Sequence, residues 1–88
     1  MKIEFLNRFY KDLDKISSQK INKQIASVIV EVENAETITK IRNVKKLKNS
    51  KIAYRIRIGD YRIGLYFEHN TVEFARIAHR KDIYKVFP

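Results

Sequence analysis

Tyr54 to Phe67 read Tyr-Arg-Ile-Arg-Ile-Gly-Asp-Tyr-Arg-Ile-Gly-Leu-Tyr-Phe and alternate polar with apolar on both sides of Gly59-Asp60. Period-two alternation flanking a two-residue turn with Gly at its first central position specifies a β-hairpin with a type II′ turn. Strand side chains alternate between faces, so the turn also fixes the register. Ile58 must face Tyr61, Arg57 face Arg62, Ile56 face Ile63, Arg55 face Gly64 and Tyr54 face Leu65. One side of the hairpin is then apolar, with Tyr54, Ile56, Ile58, Ile63, Leu65 and Phe67. The other gathers Arg55, Arg57 and Arg62 around Gly64 and Tyr66.

Like charges set opposite one another destabilise a sheet. At ~5.5 Å two unit charges repel by roughly 0.8 kcal/mol in bulk water and about 3 kcal/mol at an effective dielectric of 20. A favourable cross-strand pair returns only ~0.2 to 1 kcal/mol. The arginine face therefore costs stability unless a carboxylate elsewhere in the fold or a bound polyanion answers it. The charge distribution favours the polyanion. The chain carries +9, and nine cationic side chains with a single carboxylate, Asp60, fall between Lys40 and Arg62, so this window holds eight of the nine net charges. Such a concentration is the electrostatic footprint of a nucleic-acid or acidic partner.

Eighty-eight residues make one domain, residues 1–88, able to bury about 60 to 65% of the surface of the unfolded chain. The absence of cysteine excludes a disulfide framework and thiolate chemistry, and two histidines, His69 and His79, are too few for the usual zinc clusters. No metal or small-molecule cofactor is expected. Met1 to Leu6 lacks the apolar run of a signal peptide, and no stretch approaches the ~18 apolar residues of a membrane span, so the expectation is a cytoplasmic protein with no membrane partner.

Upstream of the hairpin, Lys2 to Leu6 alternates like a short strand. Asn7 is a suitable N-cap for a first helix, whose apolar stripe is Leu6, Phe9, Tyr10, Leu13 and Ile16 against Arg8, Lys11, Asp12 and Lys15. Ser17 and Ser18 interrupt the pattern and can cap a second helix, whose Ile21, Ile25, Val28, Ile29 and Val32 share one face and which ends near Asn34. Burying those five stabilises by ~1.5 to 3 kcal/mol each in gross terms, and the apolar hairpin face is the surface to receive them. Ala35 to Arg42 reads as a connection, Val44 to Leu47 as a short strand, and Asn49-Ser50 as a turn. Val72 to His79 is a further strand with broken parity, which predicts a bulge near Phe74 to Arg76 or burial on both faces and leaves the side of Arg76 open. Arg80 to Pro88 reads as one or two helical turns, with Ile83 and Phe87 at i, i+4. The fold class is α+β: two antiparallel N-terminal helices on a small, mainly antiparallel sheet of four strands, within a range of three to five, closed by a short C-terminal helical turn.

Lys45-Lys46-Leu47-Lys48 before the hairpin, Tyr54-Arg55-Ile56-Arg57 and Asp60-Tyr61-Arg62 within it, and the ending Ala78-His79-Arg80-Lys81-Asp82-Ile83-Tyr84 give the whole chain a resemblance to the RelE/ParE superfamily, small toxins of bacterial type II toxin-antitoxin systems. The resemblance to the RelE branch implies a ribosome-dependent, metal-independent endoribonuclease. Such an enzyme cuts messenger RNA by attack of a ribose 2′-hydroxyl on the adjacent phosphate. It further implies a cognate antitoxin, and the ribosome with its messenger, as partners.

By position, Arg55 and Arg57 match the basic pair of the first hairpin strand, Arg62 the arginine of the second, Arg80 the arginine after the last strand and Tyr84 the C-terminal tyrosine. The chemistry needs a base, cations for the phosphorane and an acid for the leaving 5′-oxygen. Arg62 and Arg80 can fork onto nonbridging phosphate oxygens, and Tyr84 can stack on a base, donate a proton, or simply pack on the sheet. Well-known active members carry lysines where this chain has Arg55 and Arg57. An arginine, with a pKa above ~12, is a poor base. His79 is then the candidate, since an imidazole titrates near ~6.5, against the alternative of a strand-end histidine bonded to backbone. Glu68 and Glu73 are further carboxylates, and His69 has no role.

Lys45, Lys46, Lys48 and Lys51 read as RNA-backbone contacts, or as lysines guarding an edge strand. The same fold also serves ParE-type toxins, which inhibit DNA gyrase without chemistry, and the basic face would equally suit an RNA-binding module that does not cut.

Overall fold

The computed structural model describes residues 1–88, and the hairpin is its centre. β3 (Ala53–Ile58) and β4 (Tyr61–Glu68) pair Ile58 with Tyr61, Arg57 with Arg62, Ile56 with Ile63, Arg55 with Gly64 and Tyr54 with Leu65, the register that the alternation requires. Gly59 takes a left-handed φ of 57°, which the first central position of this turn demands and which glycine adopts without steric cost.

β5 (Thr71–His79) continues antiparallel on β4, and β2 (Val44–Lys46) pairs antiparallel with β3. β1 (Lys2–Phe5) lies parallel on β5, matching Lys2 with Thr71 and Phe5 with Phe74. The sheet thus has five strands in the order β1-β5-β4-β3-β2. The N-terminal segment read as a short strand joins as a parallel edge and takes the sheet to five strands, the upper end of the expected range. The β5 bulge falls where parity broke: Leu65 pairs with Phe74 and Gly64 with Arg76, leaving Ala75 as the extra residue.

α1 (Asn7–Asp14) and α2 (Gln19–Asn34) cover one face of the sheet. Asn7 is the first helical residue rather than the N-cap; Leu6 holds that place without a side-chain cap. The reason is that the Leu6 N–H donates to the Phe74 carbonyl at 2.9 Å, which keeps Leu6 extended as the end of the β1 ladder. Ser18 does cap α2, its hydroxyl accepting the Ile21 N–H at 3.2 Å.

The core between helices and sheet includes Phe9, Ile16, Ile25, Val32, Ile56, Ile58, Ile63, Leu65, Val72, Phe74 and Ile77. The stripe of α1 is rotated from the one its apolar residues suggest. Tyr10 is 51% and Leu6 36% exposed, whereas Asp12 is buried. Asp12 is tolerated there because Arg76 turns toward α1 and meets it with a two-pronged pair, Nε to Oδ2 at 2.8 Å and Nη2 to Oδ1 at 3.1 Å. Beyond Phe74, where β1 stops, Asp12 Oδ2 also accepts the Ile77 N–H at 3.0 Å, taking the place of an edge strand.

The opposite face carries a smaller cluster of Ala53, Ala75, Ile83 and Phe87, flanked by Leu47, Tyr66 and Ala78. Ile83 and Phe87 belong to the C-terminal segment that contains α3 (Ile83–Val86). The Phe87 ring lies flat on Gly64: a Cβ at Gly64 would come within 2.5 Å of the ring carbons, so only glycine leaves room for it. This segment anchors Tyr84 on the arginine side of the sheet.

Candidate functional site

Strand parity puts Arg55, Arg57 and Arg62 on the sheet face away from α1 and α2, in register with Gly64 and Ala78. Lys45, paired with Arg55 on β2, joins them. Arg80 enters from the end of β5, where its N–H donates to the Asp60 carbonyl at 2.7 Å and its Nε lies 3.8 Å from Asp60 Oδ1. The turn thus ties down one arginine through Asp60 and a second through its carbonyls, since Arg62 Nη1 donates to Gly59 O at 2.8 Å and Tyr61 O at 2.9 Å.

Arg62 lies at the centre of this group. Partial burial draws its pKa below the usual arginine value, and the charges of Arg55, Arg57 and Arg80 push in the same direction, with Tyr84 acting oppositely. Neither Arg55, Arg57 nor Arg62 has a carboxylate partner; the arginine ion pairs of the chain are those of Arg42 with Glu31, Arg76 with Asp12 and Arg80 with Asp60. The repulsion anticipated from the hairpin register is thus left to neutral oxygens. Tyr84 does not pack on the sheet: it is 61% exposed, while Ile83 and Phe87 occupy the buried positions.

The other expected residues are placed apart. His79 pairs with Tyr61, which packs against the helix-side core, and their rings meet edge-on at 5.8 Å. The His79 Nδ1 accepts the Lys81 N–H at 3.2 Å. It is therefore the strand-end histidine bonded to backbone, outside the arginine group. Lys46 pairs with Tyr54 and so faces the helix side of the sheet; with Lys48 and Lys51 it lines a shallow groove in the connection to β3.

Glu73 lies opposite Tyr66 on β4 and Glu4 on β1, and Glu68 follows Tyr66 on the same strand face. These carboxylates occupy the far end of the arginine face, level with Tyr66 for Glu4 and Glu73 and with the end of β4 for Glu68, about 13 to 20 Å along β4 from Arg62. No three His, Asp or Glu side chains converge to hold a metal ion, and no helix is long and apolar enough to cross a membrane.

Asn43 was not foreseen. It adopts a left-handed φ of 63°. Its carbonyl accepts from Arg55 Nη1 at 3.1 Å and the Arg57 N–H at 3.2 Å, and its Oδ1 from Arg57 Nη2 at 3.5 Å. The only sequence signal is the residue type, since asparagine tolerates this backbone better than most.

A helix-backed sheet whose outer face presents uncompensated guanidiniums beside a tyrosine on a C-terminal helix fits one class, the small toxins of the RelE/ParE superfamily. The chain belongs to that family. Residues 3–84 match the family described as ParE toxin of type II toxin-antitoxin system, parDE. Toxin RelE3 of Methanocaldococcus jannaschii is 39% identical over 89 aligned positions that span 100% of both chains. In the crystal structure of the RelB-RelE antitoxin-toxin complex from Methanococcus jannaschii, a chain 38% identical superposes with a TM-score of 0.82, covering 97% of this chain and 99% of that one. The fold extends to more distant chains, such as that in the archaeal RelE-RelB complex from Pyrococcus horikoshii, with TM-score 0.72, 16% identity and coverage of 93% and 97%.

Proposed function

We propose that this toxin is a ribosome-dependent endoribonuclease that cleaves messenger RNA in the cytoplasm, restrained by a cognate antitoxin. The observation that carries this reading is the arginine group of Arg55, Arg57, Arg62 and Arg80, three of whose members lack a carboxylate. A phosphorane gathers negative charge on its equatorial oxygens, and donors already fixed around that position lower the barrier without reorganising. Arg62, braced on two carbonyls, and Arg80 fork onto the nonbridging oxygens. Arg55 and Arg57, with Lys45, hold the neighbouring phosphates. Tyr84, exposed beside them, stacks on a base or protonates the leaving 5′-oxygen.

The arginine group contains no base of ordinary strength. Its one carboxylate neighbour, Asp60, already faces Arg80, and His79 lies on Tyr61. The 2′-hydroxyl must then lose its proton to a group outside this chain or to solvent, which gives a physical reason for dependence on the ribosome. The same lack favours a second reading, a gyrase inhibitor of the ParE kind that performs no chemistry.

Induction of the chain in a bacterial host, with 5′ ends of messenger RNA mapped, decides between them. New 5′-hydroxyl ends at fixed codon positions, absent from the Arg62→Ala variant and depleted in Tyr84→Ala, are the expected result. Growth arrest with DNA damage and no new ends would replace the ribonuclease with the gyrase inhibitor.

A further inference from the structure

A cleft of about 320 Å³ opens between α2 and the tip of the β3–β4 hairpin, and neither phosphate binding nor cleavage by the arginine group uses it. Lys23, Gln24 and Ser27 of α2 form one wall, Val28 and Ile58 supply its apolar surface, and Arg57 stands at the opposite rim. Glu31 also lines it, but its carboxylate is matched by Arg42, accepting the Arg42 N–H at 3.0 Å and lying 3.7 Å from the guanidinium. The cations without a carboxylate partner are therefore Lys23 and Arg57.

Arg57 belongs to both regions. By register it stands on the arginine face opposite Arg62, yet Asn43, itself a lining residue of the cleft, draws its guanidinium over through Oδ1. A phosphate chain that meets Arg57 on the outer face is thus led to the mouth of the cleft. The lining suits the nucleoside attached to such a phosphate. Half-buried Val28, with the small exposed edge of Ile58, offers an apolar contact for a base, an amide offers both a donor and an acceptor, and a hydroxyl offers either. The volume sits at the low end of the ~300 to 1,000 Å³ of small-ligand sites, which is room for one nucleotide.

We propose that this cleft is a subsite for a single ribonucleotide adjoining the phosphate held by the arginine group. Arg57 is shared between the two, and Gln24 and Ser27 read the base edge. The inference rests on the proposed action on RNA and adds to it where base preference is set.

Two measurements test it. The first titrates the 15N-labelled full chain with each of the four ribonucleoside 5′-monophosphates. Amide shifts across Lys23 to Val28 that differ with the base are expected, and Lys23→Ala should weaken binding about fivefold, the weight of one partly solvated charge contact. Shifts confined to the hairpin arginines and Tyr84, or none at all, would overturn the subsite.

The second maps messenger cleavage by the Gln24→Ala/Ser27→Ala variant, whose melting temperature should match the parent because both side chains are exposed. Cleavage retained with a changed codon profile supports the proposal, and an unchanged profile sinks it. Base-dependent shifts in a chain that cuts no messenger would uphold the cleft while removing the ribonuclease reading, so the two claims fail separately.

Discussion

At the scale of the residue, Arg62 combines a proposed role with a cost. Its pKa is lowered, so the folded state holds the guanidinium proton less tightly than the unfolded chain does. The ordinary arginine value lies far above neutrality, so the penalty is present throughout the working pH range and is relieved only in strong base. A pH titration near neutrality will miss it, and substitution will not. Arg62→Gln should raise the stability of the free toxin by ~0.5 kcal/mol, about 2 to 4 °C in Tm, while removing cleavage. Calorimetry should also show a single-stranded RNA raising Tm less in the variant than in the parent. Gly64 is constrained from the other direction. Gly64→Ala drives a methyl into the Phe87 ring, and because that ring is 2% exposed the whole C-terminal segment must lift. We expect a loss of ~1 to 3 kcal/mol, with amide exchange accelerated from Ile83 to Phe87 and Tyr84 displaced.

Among the elements, α1 depends on a partner far away in sequence. Asp12 and Arg76 are 64 positions apart, and both are largely buried, so removing one leaves the other unpaired. Asp12→Ala should cost ~3 to 5 kcal/mol in denaturant unfolding, whereas Asp12→Leu combined with Arg76→Met should recover the part due to the unpaired guanidinium and keep a loss of ~1 to 3 kcal/mol, because the buried Ile77 N–H still lacks its acceptor. The pair also holds Arg76 above its usual pKa, mainly through the hydrogen bond to Asp12. That contribution is complete below the ordinary value and is lost only above the raised one, so alkaline solutions up to about pH 11 should leave it intact.

The same pair explains why the α1 stripe departs from its apolar periodicity. Periodicity counts apolar side chains and has no means of seeing that a carboxylate will meet a guanidinium on β5. The hairpin register, by contrast, was legible because turn chemistry and alternation are local. The β5 bulge was legible as a break in parity. Ile83 and Phe87 announced a buried helical face but not which side of the sheet would receive it. In the site, Arg55, Arg57 and Arg62 followed from parity and Arg80 and Tyr84 from resemblance. His79 falls outside the group because adjacency to Arg80 in the chain becomes opposition across the sheet, and Asn43 escaped because its role depends on a backbone conformation that residue type only permits.

For the whole molecule, the positive charge on the outer face sets how binding responds to salt. Contact with ~4 phosphates of single-stranded RNA predicts a log-log slope near −3, measured by fluorescence anisotropy across salt concentrations. A slope that stays the same in Arg55→Ala/Arg62→Ala would remove the arginine face from the contact. Glu4, Glu68 and Glu73 lie at the opposite end of that face, but Lys2, Lys46 of β2, and Lys48 and Lys51 of the β2–β3 connection flank them there, so that end is closer to neutral than to negative. The field around the molecule is graded rather than two-signed: a polyanion should be drawn in from any side and drift toward the hairpin tip, where cations are least opposed.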